Sequence, residues 1–102
     1  MKNKAIIELY QAKFHLNSWY VTNKKFEKEC KIIYNKIVNI IFKIDNKPQY
    51  KFNIEDNKPC IDCTIKHILN FYAYNTKLKI IKEEEIKNIL VLLNNLKKEN
   101  KI

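Results

Sequence analysis

The chain has no glycine and only two prolines among its 102 residues. Glycine supplies the positive backbone φ of tight hairpin turns, so few hairpins are expected and helices are favoured. Turns that need positive φ are predicted to fall on Asn or Asp, which tolerate it best among the other residues. A glycine-rich phosphate loop is excluded, and the single serine, Ser18, is part of no recognisable nucleophile arrangement.

Arginine is also absent, so all 20 basic residues are lysine; with 11 acidic residues the formal net charge is +9. The lysines are dispersed, with 12 in residues 1–58 and 8 in residues 59–102. Because arginine is the usual reader of guanine edges, sequence-specific DNA recognition is not expected. We expect a protein complex as the partner, with nonspecific, salt-sensitive nucleic-acid binding as the alternative.

No run of 18 apolar residues occurs, so neither a membrane span nor a membrane partner is expected. The first apolar run, Ala5-Ile6-Ile7, ends at Glu8 and is too short for a signal peptide. These features predict a cytoplasmic protein, in which a disulfide framework is not expected. Metal binding, a redox pair or inert burial then remain for the three cysteines.

The length predicts a single domain, 1–102, and the hydrophobic pattern predicts an all-α, compact bundle of about four helices. Helices are predicted over 3–16, 24–44, about 59–74 and from Glu83 onward, with a break at Asn17-Ser18. One loop or short extended segment is predicted at about 45–59. The second helix has the clearest apolar stripe: Phe26, Cys30, Ile33, Ile37, Ile40 and Ile44.

Cys60, Cys63 and His67 are spaced i, i+3 and i+7 at the start of the third predicted helix. At about 100° per residue they share a face that differs from the Ile61/Ile68 face, so they are not simply core residues. Two thiols and an imidazole are zinc ligands, and Cys30 on the long second helix is predicted as the fourth. Cys30 is preferred because its helix is expected to pack against the third.

Other arrangements of the same residues stay open. His15 at the end of the first helix is the alternative fourth ligand, and water in that position would leave a site open for catalysis. A helix N-terminus favours the thiolate, so Cys60 and Cys63 also form a candidate redox-active dithiol. The third hypothesis is that the cysteines bind no metal.

The segment from Cys60 to Ile68 resembles a C-x-x-C-x-x-K-H-[IL] stretch of small, largely uncharacterised helical proteins from phages and bacteria. A fainter resemblance links Pro59 and the CxxC to short viral sulfhydryl oxidases of the Erv/ALR type. That family contacts its flavin through Trp and His residues around the CxxC. Here the only tryptophan is Trp19 and the last predicted helix has no histidine, so this resemblance does not extend to the flavin site.

The sequence therefore predicts a non-enzymatic, zinc-stapled helical protein, with one Zn(II), that acts by binding a macromolecule. Small size and a composition in which Lys, Asn and Ile supply half the chain are typical of an AT-rich phage or mobile element. Such a product would inhibit a host complex, as an anti-CRISPR protein does. A nonspecific nucleic-acid-binding regulator and a CxxC thiol oxidoreductase are the alternative functions.

Overall fold

The computed structural model describes residues 2–45 and 59–100, and it confirms the predicted all-α fold. The four helices are α1 (Lys2–Thr22), α2 (Glu27–Ile44), α3 (Ile61–Leu78) and α4 (Glu83–Asn100), with a 3-10 turn (Lys24–Phe26) before α2. Within the two described ranges there is no strand, and no helix is long and apolar enough to cross a membrane. Most of the segment predicted at 45–59 lies outside the described residues.

Helix α1 continues through Asn17-Ser18, so the break predicted there is wrong. Two apolar side chains around that point, Leu16 and Trp19, are both buried and keep the helix in the core. The helix ends at Thr22, where the Asn23 side-chain amide donates a hydrogen bond to the Trp19 carbonyl at 2.8 Å. Because this bond satisfies a carbonyl of the last turn, it closes the helix at that point.

Each helix packs against two others: α1 contacts α3 and α2, and α4 also packs against α3 and α2. The predicted stripe of α2 is buried throughout, from Phe26 to Ile44. However, α3 packs mainly against α1 and α4. The expectation that the helix of Cys30 would be the packing partner of α3 is therefore wrong, because α1 occupies that position.

Helix α3 ends at Leu78, four residues beyond the predicted end near Tyr74. Lys79 follows with φ 51° and ψ 40°, and it is the single positive φ in the described part of the chain. The expectation that such positions fall on Asn or Asp is therefore wrong here. Asn75 nevertheless organises this turn: its buried side chain accepts from the Ile80 and Ile81 amides at 3.1 Å each and donates to the Ile81 carbonyl at 2.8 Å.

Helix α4 has the charge distribution predicted for it, with three glutamates in its first turn and Lys97 and Lys98 in its last. Both ends are also tied to neighbouring helices by ion pairs. Lys43 contacts Glu85 at 2.7 Å, and Lys97 contacts Asp62 at 2.6 Å. The second pair joins the end of α4 to the first turn of α3, where the predicted site lies.

Candidate functional site at the start of helix α3

Cys60 and Cys63 form a disulfide at the start of α3, with their Cα atoms 5.2 Å apart. Both residues are half-buried, so the bond lies at the surface of the bundle and not in its core. A disulfide was not expected from the sequence, so this bond departs from that expectation, and the zinc-ligand and redox-dithiol roles of the two residues stay predictions. The Cys-x-x-Cys spacing brings the two sulfur atoms to one side of the first helical turn.

The sequence around Cys60 forms the first turn of the helix. Cys60 is the N-cap, with an extended backbone, and its Sγ accepts a hydrogen bond from the Cys63 amide at 3.0 Å. The Thr64 hydroxyl, which is fully buried, donates to the Cys60 carbonyl at 3.0 Å. An amide directed at a sulfur atom from a helix N-terminus is an arrangement that stabilises negative charge on that sulfur.

His67 lies one turn after Cys63 and faces α1, where it contacts a residue that the sequence did not indicate. Its Nδ1 lies 2.6 Å from Oε2 of Glu8, and the Asn70 amide donates to the same oxygen at 3.3 Å. The His67 and Glu8 side chains are only 17% and 19% exposed. The carboxylate therefore fixes the orientation of the imidazole and directs its Nε2 away from Glu8.

His15 is the second histidine at this contact. Its ring lies 5.4 Å from that of His67, centroid to centroid, with an angle of 9° between the planes. His15 is 5% exposed, so α1 holds it between the helices. Glu8 and His15 are seven residues apart, which is about two helical turns. The signal in the sequence that could have identified Glu8 is a charged residue that interrupts the apolar stripe of α1.

Cys30 lies at a different contact, between α1 and α2. It borders a cavity of about 170 Å³ lined by Leu16, Asn17, Tyr20, Lys31, Tyr34 and Asn35. Burial, with a smaller contribution from the charge of Glu29, raises the pKa of the Cys30 thiol to about 11. At neutral pH this thiol is protonated, and it behaves as a small core side chain.

The four residues predicted as zinc ligands thus lie in different places. His67 belongs to the α1–α3 contact, Cys60 and Cys63 lie at the start of α3, and Cys30 belongs to the α1–α2 contact. Among residues 2–45 and 59–100, in the disulfide form, no three His, Cys, Asp or Glu side chains are grouped so that they could hold a metal ion. Zinc binding stays a prediction, and it requires thiols that are not bonded to each other.

Helix α3 thus carries two features: a half-buried disulfide at its start, and His67, one helical turn after Cys63, in a cluster with Glu8 and His15. A disulfide of this kind accepts two electrons by exchange with a thiolate. Comparisons of the sequence with protein-family models and with curated proteins, and of the structure with solved structures, found no match.

Proposed function

We propose that this protein is a thiol–disulfide exchange protein in which Cys60 and Cys63 cycle between a disulfide and a dithiol. The observation that supports this most directly is the half-buried disulfide at a helix N-terminus, with an amide donating to Cys60 Sγ at 3.0 Å. The proposal includes the cytoplasmic location predicted from the sequence, because in that compartment a disulfide is usually catalytic or redox-sensing.

In the proposed exchange, a substrate thiolate attacks Cys60 Sγ, a substrate–Cys60 bond forms, and Cys63 leaves as a thiolate. A second substrate thiolate then attacks the substrate sulfur of the mixed disulfide and releases Cys60. The substrate dithiol has been oxidised to a disulfide, and Cys60 and Cys63 have been reduced by two electrons. A second disulfide, from a small molecule or a protein, reoxidises the pair by the reverse steps.

Cys60 is the proposed site of the mixed disulfide because its sulfur accepts the Cys63 amide hydrogen bond. The reverse reaction requires Cys60 to be the attacking thiolate, and the same hydrogen bond stabilises that state. Cys63 then acts as the resolving thiol. Cys30 takes no part, since its raised pKa keeps it protonated.

The test is equilibration of the folded protein with mixtures of reduced and oxidised glutathione, followed by trapping of free thiols with an alkylating agent. We expect one reversible, two-electron transition that involves Cys60 and Cys63, while helicity by circular dichroism is retained. In Cys63→Ser, the mixed disulfide with glutathione should accumulate on Cys60, and Cys30→Ala should titrate like the unmodified protein. A disulfide that opens only when the protein unfolds would contradict the proposal.

Macromolecule binding, the leading prediction from the sequence, is the second candidate function. It is supported by large apolar side chains that are at least half exposed: Val21, Phe42, Leu69 and Val91. With a net charge of +9, such a surface suits an acidic partner. A protein complex, including a host complex inhibited by a phage product, is the proposed partner, and nucleic acid is the alternative.

Fluorescence anisotropy with labelled single- and double-stranded DNA and RNA separates these partners. Nucleic-acid binding should be detectable at low ionic strength and should weaken steeply as salt is added, because lysine contacts release counterions from the phosphates. Undetectable binding at low ionic strength would exclude the nucleic-acid alternative and leave the protein partner. Phe42→Ser should then weaken a protein complex, with the exposed polar substitution Asn88→Ser as the matched control.

A further inference from the structure

We propose that reduction of the Cys60–Cys63 disulfide opens a Zn(II) site at the α1–α3 contact, with Cys60, Cys63 and His67 as ligands and His15 as the fourth. This inference rests on the proposed function, because it requires a disulfide that opens in the folded protein. It differs from the sequence-based ligand set in one position, where His15 replaces Cys30. The protein would then couple the redox state of a dithiol to the binding and release of a metal ion.

The two sulfur ligands are already close together. Their Cα atoms are 5.2 Å apart, and both sulfur atoms lie on one side of the first turn of α3. Two thiolates on one tetrahedral zinc ion are about 3.8 Å apart, given zinc–sulfur bonds of about 2.3 Å. Separation of the sulfur atoms from a disulfide to that distance needs side-chain rotation and no movement of the helix. The Cys63 amide at 3.0 Å from Cys60 Sγ favours the thiolate that zinc requires.

His67 has the oriented geometry of a metal-binding histidine. Its Nδ1 is engaged by Glu8 at 2.6 Å, which leaves Nε2 for an ion. A carboxylate that hydrogen-bonds the second nitrogen of a ligating histidine is the usual outer-shell partner in zinc sites. The Asn70 amide holds the same Glu8 oxygen at 3.3 Å, so the carboxylate is itself oriented. The low exposure of the pair indicates that this geometry is built into the helix contact.

His15 supplies the fourth position because its ring is already stacked on that of His67, with centroids 5.4 Å apart. Ligating nitrogens on one tetrahedral zinc ion lie about 3.3 Å apart, so the two rings must tilt towards a shared ion. The competing ligand, Cys30, lies at a different contact, between α1 and α2.

Reduction of the disulfide is coupled to zinc binding, and oxidation of the dithiol is coupled to zinc release. In reduction, two substrate thiols give up two electrons and become a disulfide, and Cys60 and Cys63 become thiols. Zn(II) then displaces one proton from each thiol and forms two zinc–sulfur bonds. In oxidation, a small-molecule disulfide accepts two electrons, the Cys60–Cys63 bond re-forms, and the zinc ion is released because a disulfide sulfur is a poor ligand.

The test titrates the full-length protein with Zn(II) alone, in competition with a chromophoric zinc indicator, after reduction by a phosphine and again after reoxidation. Free thiols are counted separately by alkylation and mass spectrometry. We expect one zinc ion per reduced chain and none per oxidised chain. Co(II) in place of zinc should give the charge-transfer absorption of a two-thiolate tetrahedral site.

Single substitutions identify which residues bind the zinc ion. His67→Gln and His15→Gln should each weaken zinc binding by more than about 10-fold, and Glu8→Gln by about 10- to 100-fold through loss of the outer-shell bond. Cys30→Ala and the exposed neighbour Lys66→Gln should leave it unchanged. If His67→Gln fails to fold, Glu8→Gln and the comparison of reduced with oxidised protein still decide the question.

Two results would overturn the inference. Reduced protein with two free thiols at Cys60 and Cys63 and no zinc binding would refute the site while leaving the proposed exchange function intact. A loss of affinity in Cys30→Ala equal to that in His67→Gln would return the fourth position to Cys30. If the thiol count shows that the disulfide never opens in the folded protein, both the exchange function and the zinc site fail together.

Discussion

The two ends of α3 are both closed by side chains that hydrogen-bond to the backbone, but the side chains differ in their chemistry. At the start, Cys60 Sγ accepts one amide and is half-buried. At the end, Asn75 is buried and makes three hydrogen bonds with the two residues that follow the turn. The end of the helix is held firmly by these bonds and is inert, whereas the start, which the Thr64 hydroxyl and the Asp62–Lys97 ion pair also hold, carries a half-buried disulfide that reagents can reach. We expect reactivity to concentrate at the start and stability at the end.

Cys30 adds a third case to the comparison. It is a cysteine, like Cys60 at the start of α3, but it is buried in the core. Its pKa is raised from 9.0 to about 11, so its thiolate population near pH 8 is lower by about 100-fold than that of an ordinary thiol. After mild reduction of the folded protein, we expect iodoacetamide to label Cys30 at least about 100-fold more slowly than Cys60.

Peptide mass spectrometry after timed labelling checks this expectation site by site. The same labelling in denaturant is the control, because all three cysteines should then react at similar rates. Comparable labelling rates for Cys30 and Cys60 in the folded protein would show that burial does not protect the Cys30 thiol as the structure indicates.

Asn75→Ala tests the firmly held end of α3. The substitution removes the partner of two backbone amides and one carbonyl, so we expect the free energy of unfolding to fall by about 1–3 kcal/mol. Urea denaturation followed by circular dichroism measures it. Asn88→Ala, at an exposed position on α4, should change it by less than about 0.5 kcal/mol. Equal small effects in both variants would mean that the Asn75 hydrogen bonds contribute little.

Removal of the disulfide tests the start of α3. The loop it closes is short, with a sequence separation of 3, so the chain-entropy gain from the crosslink is about 2 kcal/mol at most. We expect the Cys60→Ser, Cys63→Ser double variant to remain folded and to lose no more than that amount. Global unfolding of the double variant would indicate that the fold requires the disulfide, and it would count against an exchange function.

A matched variant separates the crosslink from the cap. Serine at position 60 retains a side-chain acceptor for the amide of residue 63, and alanine does not. Cys60→Ala with Cys63→Ser should therefore be about 1 kcal/mol less stable than the double serine variant. No difference between the two would show that Cys60 Sγ contributes little as an N-cap.

The sequence predicted the helices well because their burial is periodic and local. The whole stripe of α2 from Phe26 to Ile44 is buried as expected, and Ile86, Ile89, Leu93 and Leu96 are buried on α4. In the candidate site, the closeness of Cys60 to Cys63 was predictable because the two residues are three apart at the start of one helix. The partner of His67 was not predictable in this way, because Glu8 is 59 residues away and its position depends on which helices pair.

The expectation that the helix of Cys30 packs against α3 failed for the same reason, because it too depends on which helices pair. An amphipathic stripe specifies which side of a helix is buried, but it does not specify which neighbour covers that side. Helices α1 and α4 each pack against both α2 and α3, so α2 is not a main neighbour of α3, and no local pattern in α2 encodes that. The ends of α1 and α3 were missed for another reason: Asn23 and Asn75 close turns through side-chain hydrogen bonds whose partners are known only after folding.

The smallest effect is expected just beyond the firmly held end, at Lys79. Its φ of 51° lies in the left-handed region, where glycine is favoured and a residue with a Cβ is strained. Lys79→Gly should raise the free energy of unfolding by about 0.5–1 kcal/mol, since relief of the strain outweighs the greater freedom of glycine in the unfolded chain. Lys79→Ala, which keeps the Cβ and removes the charge, should give no such gain. If Lys79→Gly is no more stable than Lys79→Ala in urea, the left-handed turn is not a source of strain, and the contrast between the two ends of α3 rests on Asn75 alone.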